Sequence, residues 1–152
     1  MGENGGASTA VQQWLTGLET ADRALLRRAA TALFAPRCEF RRPTGASGEA
    51  RFFGYDEWAP WIENLVTAFH PLRPRLIDRF GSGDNRFCQL SLIEGVHSGA
   101  LALPGMTPVP PTGRPVSFEE VTYSSEEGGL ITRQWAYFDL YNILRQIEAR
   151  GP

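Results

Sequence analysis

Residues 116–139, VSFEEVTYSSEEGGLITRQWAYFD, contain two strand-like patterns separated by a tight turn. Residues 116–124 and 130–139 are rich in β-branched and aromatic side chains, which favour strands. Residues 126–129 (EEGG) supply the glycines that a short hairpin turn requires. The stretch therefore predicts two antiparallel strands joined by a hairpin.

Two further strands are predicted immediately upstream. Residues 72–80 and 86–101 have extended patterns, and residues 81–85 (GSGDN) supply the turn that joins them. Residues 103–115 are too rich in proline for the interior of a sheet, so we expect a loop there. Together with the hairpin, these patterns predict a four-stranded antiparallel meander.

Helices are predicted on both sides of this meander. Apolar residues recur at three- and four-residue spacing over residues 9–33 and 56–69, and capping residues at 19–22 allow a break in the first helix. A short strand is predicted at residues 38–40, and a terminal helix at residues 140–149. Because most helices precede the strands, the pattern predicts an α+β fold. We expect its curved antiparallel sheet to pack on the N-terminal helices around a pocket.

The length and the charge of the chain narrow the class of protein. The 152 residues correspond to one domain, which we expect over residues 9–150 after a glycine-rich, disordered tail at residues 1–8. A net charge of −2 gives no strong field for nucleic acid or an anionic membrane. Neither a secretory signal nor a membrane-spanning run is visible, so we expect a cytoplasmic protein.

The few histidines and cysteines make a metal site an unfavoured interpretation. The chain has two histidines, and Cys38 and Cys88 are widely separated in no C-x-x-C pattern. We expect both cysteines to be small buried thiols rather than a disulfide or a metal pair. Nucleotide-binding glycine motifs and the G-x-S-x-G motif of serine hydrolases are also absent. Any chemistry must therefore come from acids, bases and the shape of a pocket.

Strand alternation nominates Asp139 as an acid/base group. Ile131, Arg133, Trp135, Tyr137 and Asp139 share one face of the last strand. If this face is turned inward, Asp139 lies beside aromatic surface, where loss of hydration raises the pKa of a carboxyl group. The alternative is that Asp139 caps the terminal helix that follows it, since aspartate is a common cap.

Other candidates also have structural alternatives. His97 could polarise a substrate carbonyl, or it could be a buried histidine satisfied by backbone partners. Glu94 and Arg133 could form a polar pair in the pocket or a cross-strand ion pair. Several aromatic residues could line a ligand pocket, although such residues more often form a core. They are Phe40, Trp58, Trp61, Phe69 and Phe80.

A series of short motifs in the second half of the chain resembles a known family. They are His97-Ser98-Gly99, residues 110–116 (PPTGRPV), Gly129-Leu130-Ile131, Trp135, Asp139 and residues 144–147 (LRQI). In their order and spacing they resemble the SnoaL-like polyketide cyclases, a family of the NTF2-like superfamily of cone-shaped α+β barrels. The chain departs from the family at Gly129-Leu130, where a lysine is usual, and in the loop at residues 106–109, which leaves the substrate open.

The resemblance implies a cofactor-free, aldol-type ring closure of a polyketide intermediate in antibiotic biosynthesis. It implies Asp139 as the acid/base and His97 as its assistant. Phe40, Trp58, Trp61 and Phe80, with Arg133, Trp135 and Tyr137, would then contact the substrate. The resemblance further implies a homo-oligomer that pairs through the outer face of the sheet, which we expect to carry Thr132, Gln134 and Phe138.

Two other functions stay open at this point. The same fold hosts hydroxylase-like, epoxide-opening, spiro-forming and cycloaddition-type enzymes, because a fold does not fix a reaction. Epoxide opening usually needs two carboxylates around a water, and Asp139 has no obvious second acid beyond Glu94. A ligand-binding module of the NTF2-like kind, without turnover, is the alternative outside the enzymes.

Overall fold

The computed structural model describes residues 3–44, 49–83 and 85–148, which form four helices and six strands. The helices are α1 (Glu3–Thr20), α2 (Arg23–Leu33), α3 (Tyr55–Ala68) and α4 (Leu140–Ile147). The strands are β1 (Phe34–Pro43), β2 (Glu49–Phe53), β3 (Arg73–Ser82), β4 (Arg86–Val96), β5 (Pro115–Glu127) and β6 (Leu130–Phe138). No helix in these ranges is long and apolar enough to cross a membrane.

The six strands form one curved, mixed sheet in the order β2-β1-β6-β5-β4-β3. Strands β3 to β6 are antiparallel neighbours, so the predicted meander is confirmed. Strand β1 pairs in parallel with β6 and antiparallel with β2. Since β2 and β3 lie at opposite ends of this order, the sheet stays open. The predicted α+β, NTF2-like fold is confirmed, and the sheet has two more strands than the meander.

The break predicted in the first helix is also present. Ala21 adopts a positive φ of 54°, and Asp22 caps α2 by accepting a hydrogen bond from the Leu25 N–H at 3.0 Å. Helix α1 begins at Glu3, inside the range expected for a disordered tail. Residues 1 and 2 of that tail, and residues 149–150 of the expected domain, lie outside the described residues.

The inner face of the sheet, which packs against α1 and α3, carries an aromatic cluster. Phe40 on β1 stacks on Trp58 of α3 with ring centroids 4.1 Å apart, and Trp14 of α1 stacks on the same indole at 5.7 Å. Phe34 packs edge-on against Phe40 at 5.0 Å. Each such pair adds roughly 0.5–1.5 kcal/mol beyond its buried area. The cluster therefore fixes Trp58 against the sheet.

The segment His97-Ser98-Gly99 holds the end of α3. The N–H groups of Ser98 and Gly99 donate to the Ala68 carbonyl at 2.9 and 3.1 Å. A Cβ atom at Gly99 would lie 2.4 Å from the Thr67 carbonyl oxygen, so a larger residue is not accommodated there. The glycine of this motif thus permits a close approach of two backbones.

Candidate active site

A cavity of about 360 Å³ lies between the inner face of the sheet and helices α1 and α3. Its wall is mainly apolar, with Trp58 and Trp61 among the lining side chains. Its size falls within the roughly 300–1,000 Å³ that is usual for small-molecule sites. The polar or charged residues of the wall are Arg42, Gln89, Ser91, Glu120, Thr122 and Gln134.

Glu120 faces this cavity because of its position on β5. Val116 and Phe118 are buried with 3% of their surface exposed, and Glu120 is the next residue of the same strand face. Its carboxylate has no hydrogen-bond partner among the described residues. Burial raises the pKa of Glu120, and the positive charge of Arg42 opposes this rise without cancelling it. Glu120 is therefore a carboxylate of increased basicity on the cavity wall.

Arg42 is the positive charge of the cavity, and it is held firmly. Its side chain donates through Nη1 to the carbonyls of Arg41 and Gln134, both at 2.9 Å, and through Nη2 to Gln134 Oε1 at 2.5 Å. The guanidinium carbon lies 4.6 Å from the ring centroid of Trp58. Burial lowers the pKa of Arg42 to about 10, so the group keeps its charge at neutral pH.

Arg42 and Glu120 are the two charged residues among the described side chains that line the cavity. A base and a fixed cation in apolar surroundings can remove a proton and stabilise the negative charge that results. Within the described ranges, no group of three or more His, Cys, Asp or Glu side chains could hold a metal ion.

Asp139 lies outside this cavity. It is exposed, and its Oδ1 accepts a hydrogen bond from the Asn142 N–H at 3.0 Å, which caps α4. The capping alternative left open by the sequence is thus what the structure shows, and the condition that Asp139 is turned inward is not met. The role of Asp139 in catalysis stays a prediction from the resemblance.

Three more residues of that strand face are also turned outward, whereas Ile131 lines the cavity because the pairing register with β5 shifts between Ile131 and Arg133. Arg133 pairs with Glu39 at 3.3 Å, and Arg41 covers the ring of Trp135 at 3.7 Å. Tyr137 is 48% exposed. The placement of Arg133, Trp135 and Tyr137 in the pocket is therefore corrected: they lie on the outer face, where arginines rather than helices cover the aromatic surface.

The opposite face of β6 is turned inward. Gln134 lines the cavity and bonds Arg42, and Phe138 packs against Phe118 with ring centroids 5.4 Å apart. The expectation that Gln134 and Phe138 belong to an outer pairing surface is therefore wrong. Both faces of this strand carry large side chains, so alternation alone did not determine which face is buried.

His97 is fully buried and does not line the cavity. Its Nδ1 accepts a hydrogen bond from the Thr112 N–H at 3.2 Å, so this nitrogen carries no proton. Burial lowers the pKa of His97, and the backbone of Val109 raises it by less. The N–H of Gly113 donates to the His97 carbonyl at 2.8 Å. His97 thus fastens the proline-rich loop as a neutral side chain, and its part in catalysis stays a prediction.

The aromatic candidates are divided by the structure. Trp58 and Trp61 line the cavity, whereas Phe40 is fully buried behind Trp58. Phe80 is 68% exposed near the β3–β4 turn, away from the cavity, so its expected place in the pocket is corrected. Phe69 lies in the core against His97.

Three other candidates lie apart from the cavity. Glu94 borders a separate surface cleft beside Arg73, and it does not pair with Arg133. Cys38 is a buried free thiol, as expected, and burial raises its pKa to about 12. Cys88 is free and half-buried, less enclosed than expected.

Sequence reasoning missed Glu120 and Arg42, although a signal for both was present. Glu120 lies two residues beyond Phe118 on a strand, and Arg42 lies two residues beyond Phe40. In each strand the apolar partner marks the inner face, and the charged residue shares it. A charge on a predicted buried face is an indication of function.

Comparison with known proteins agrees with this architecture. Residues 9–147 match the SnoaL-like polyketide cyclases, and the chain belongs to this family. No protein of curated function matches it in sequence.

Several solved structures share the fold. A candidate SnoaL-like polyketide cyclase from Jannaschia sp. CCS1 is 18% identical, with a TM-score of 0.73 over 95% of this chain and 93% of that one. TsrD from Streptomyces laurentii is 20% identical, with a TM-score of 0.70 over 97% and 98%. AclR, a candidate hydroxylase from Streptomyces galilaeus, is 16% identical, with a TM-score of 0.66 over 96% and 97%.

Proposed function

We propose that this protein is a cofactor-independent cyclase that closes a ring in a polyketide intermediate by an intramolecular aldol-type reaction. Membership of the SnoaL-like polyketide cyclases supports a polyketide-like substrate. The observation that carries the proposal is the carboxylate of Glu120, which faces an apolar cavity without a hydrogen-bond partner among the described residues. Such a group can act as a general base near neutral pH.

In the proposed reaction, Glu120 removes a proton from a substrate carbon that lies between two carbonyl groups. The C–H bond breaks, an O–H bond forms on the carboxyl group, and the electron pair of the carbon attacks a second carbonyl of the same molecule. The new C–C bond closes the ring, and the carbonyl oxygen becomes an alkoxide. Glu120 then returns the proton to this oxygen, so the base is restored and no cofactor is consumed.

The cavity wall would favour this reaction by holding a folded, flat substrate. Phe40 and Trp14 already stack on Trp58, so Trp61 supplies the indole surface for stacking on a substrate, and both Trp58 and Trp61 line the cavity. Their Nε1 atoms and the Thr122 hydroxyl are buried without a hydrogen-bond partner, which makes them candidate donors to substrate carbonyls. Holding the two reacting carbons together removes most of the entropic cost of ring closure.

Epoxide opening is less well supported by the same cavity. That chemistry commonly uses two carboxylates around a water, and Glu120 is the one acid among the described residues of the wall. Asp139 is exposed at the start of α4. A single base and a cation on the wall of one cavity are better suited to enolate chemistry.

Turnover of polyketide methyl-ester intermediates, followed by chromatography and mass spectrometry, tests the proposal. A cyclic product with the mass of the substrate, or with one water less, supports ring closure. A product with an added oxygen would instead indicate hydroxylation, and binding without conversion would indicate a ligand-binding module. Either of these results would contradict the proposal.

The homo-oligomer expected from the family stays a prediction, but the outer face through which it would pair does not include Gln134 and Phe138. The outer face of the sheet presents Val121 and Tyr137, which are 41% and 48% exposed. Elution from a sizing column at the mass of a monomer would contradict a homo-oligomer.

A further inference from the structure

We propose that Arg42 binds the enolate oxygen of the substrate, so that the cavity takes planar 1,3-dicarbonyl compounds more tightly as enolates than as neutral molecules. This inference rests on the proposed function for its class of substrate. It adds a second group that contacts the reacting atoms, and it names the form of the ligand that the cavity prefers.

The position of Arg42 is fixed before any ligand binds. Two of its bonds go to backbone carbonyls and one to the side chain of Gln134, so the guanidinium has little freedom to turn. Only 3% of its surface is exposed, and aromatic rings of Trp58 and Trp61 lie 4.6 and 5.8 Å from its central carbon. A charge held in place in this way needs no reorganisation when a negative charge develops beside it.

Arg42 also retains donors for a ligand. A guanidinium has more N–H groups than the three bonds described here use. No ion pair with Glu120 is among the contacts of the described residues. The charge of Arg42 therefore acts on Glu120 through space, and its remaining donors are not occupied by that carboxylate.

Because Arg42 and Glu120 are not paired, Arg42 can stabilise the state after proton transfer more than the state before it. During deprotonation the negative charge moves from the Glu120 carboxylate to an oxygen of the substrate, while the proton moves from carbon to Glu120. An enolate oxygen in hydrogen-bond contact with Arg42 gains more than the more distant carboxylate loses. The interaction is thus stronger after proton transfer than before it, which is the condition for a faster reaction.

This inference can be tested without turnover by a 1,3-dicarbonyl ligand that forms an enolate but has no further carbonyl group for the enolate carbon to attack. 2-Naphthoylacetone is a flat aromatic 1,3-diketone whose enolate absorbs at longer wavelength than its neutral forms. Titration of the bound ligand by absorbance gives its pKa inside the cavity. We expect wild-type protein to lower this pKa by about one unit or more relative to water, which corresponds to about tenfold tighter binding of the enolate.

Arg42→Met should remove this shift, whereas Arg79→Met, which changes an exposed arginine on β3, should leave it unchanged. Circular dichroism checks that both variants are folded. Absence of binding to the wild type, or an unshifted pKa of the bound ligand, would overturn the inference even if Arg42→Met does not fold. An equal shift in folded Arg42→Met would also overturn it.

The outcome is distinguishable from failure of the proposed function. A lowered ligand pKa without turnover of any polyketide would leave Arg42 as an enolate-binding group and remove the cyclase assignment. Ring closure by a wild-type protein that leaves the ligand pKa unshifted would support the cyclase assignment and remove the enolate-binding role of Arg42.

Discussion

Glu120 and Arg42 line the same cavity, and each is the charged side chain with the largest effect on the pKa of the other. They come from β5 and β1, which are separated in the sheet by β6. Asp139, in contrast, caps α4, and His97 fastens a loop. The motif residues Asp139 and His97 thus make structural contacts in this protein. The charged residues of the cavity, Glu120 and Arg42, lie outside the family motifs.

Replacing Glu120 by glutamine should change how stability depends on pH. Because burial raises the pKa of Glu120 in the folded protein, the unfolded chain loses this proton first as the pH rises above the ordinary value of 4.5. The wild type should therefore lose stability from that pH upward until the folded-state pKa is passed, and Glu120→Gln should lack this loss. Urea unfolding across this pH range measures it.

Glu119→Gln is the matched control, because Glu119 is exposed on the outer face of the same strand. Its pH profile should follow that of the wild type. Parallel profiles for the wild type and Glu120→Gln would show that the carboxyl group is not perturbed by the cavity.

Substitutions of Asp139 should show whether its contribution to stability comes from capping α4 or from its negative charge. Asparagine caps helices about as well as aspartate, so Asp139→Asn should change the free energy of unfolding by less than about 0.5 kcal/mol. Asp139→Ala removes the acceptor for the Asn142 N–H and should cost about 1 kcal/mol. Denaturant unfolding checks both values. Equal stability of the two variants would argue against the cap.

Removal of the His97 side chain should be strongly destabilising. His97→Ala leaves the part-buried Thr112 N–H without its acceptor and opens a void in the core, at a cost of roughly 2–4 kcal/mol. His70→Ala, at an exposed side chain, should cost less than about 0.5 kcal/mol. A loss of ring closure by His97→Ala with unchanged stability would instead favour a catalytic role.

Two tryptophans on opposite sides of the sheet, Trp61 of α3 and Trp135 of β6, should differ in their effect on substrate binding. Trp61→Phe reduces the stacking surface of the cavity and should raise KM several-fold. Trp135→Phe changes the outer face and should leave KM unchanged, although the resemblance to the family implies that Trp135 contacts the substrate. Steady-state kinetics decide between them, and a raised KM for Trp135→Phe alone would contradict the cavity as the site.

Much of the fold could be predicted from local sequence, because the meander and the helices have clear periodicity and turn residues. The pairing of β1 with β6 is a contact between distant segments, and β2 has five residues, so neither leaves a strong local pattern. The sequence pattern also did not determine which face of β6 is turned inward. Gln134 is turned inward and forms a hydrogen bond with Arg42, whereas Trp135 is covered by Arg41, and both contacts depend on the assembled sheet.

The most direct test of the central claim compares ring closure by Glu120→Gln and Asp139→Asn with that of the wild type. If Glu120 is the acid/base, Glu120→Gln should lower kcat by about 10²- to 10⁴-fold, and Asp139→Asn should stay within a few-fold of the wild type. Both proteins must first be shown to be folded. Loss of ring closure in Asp139→Asn, with full activity in Glu120→Gln, would contradict the account and assign the chemistry to Asp139.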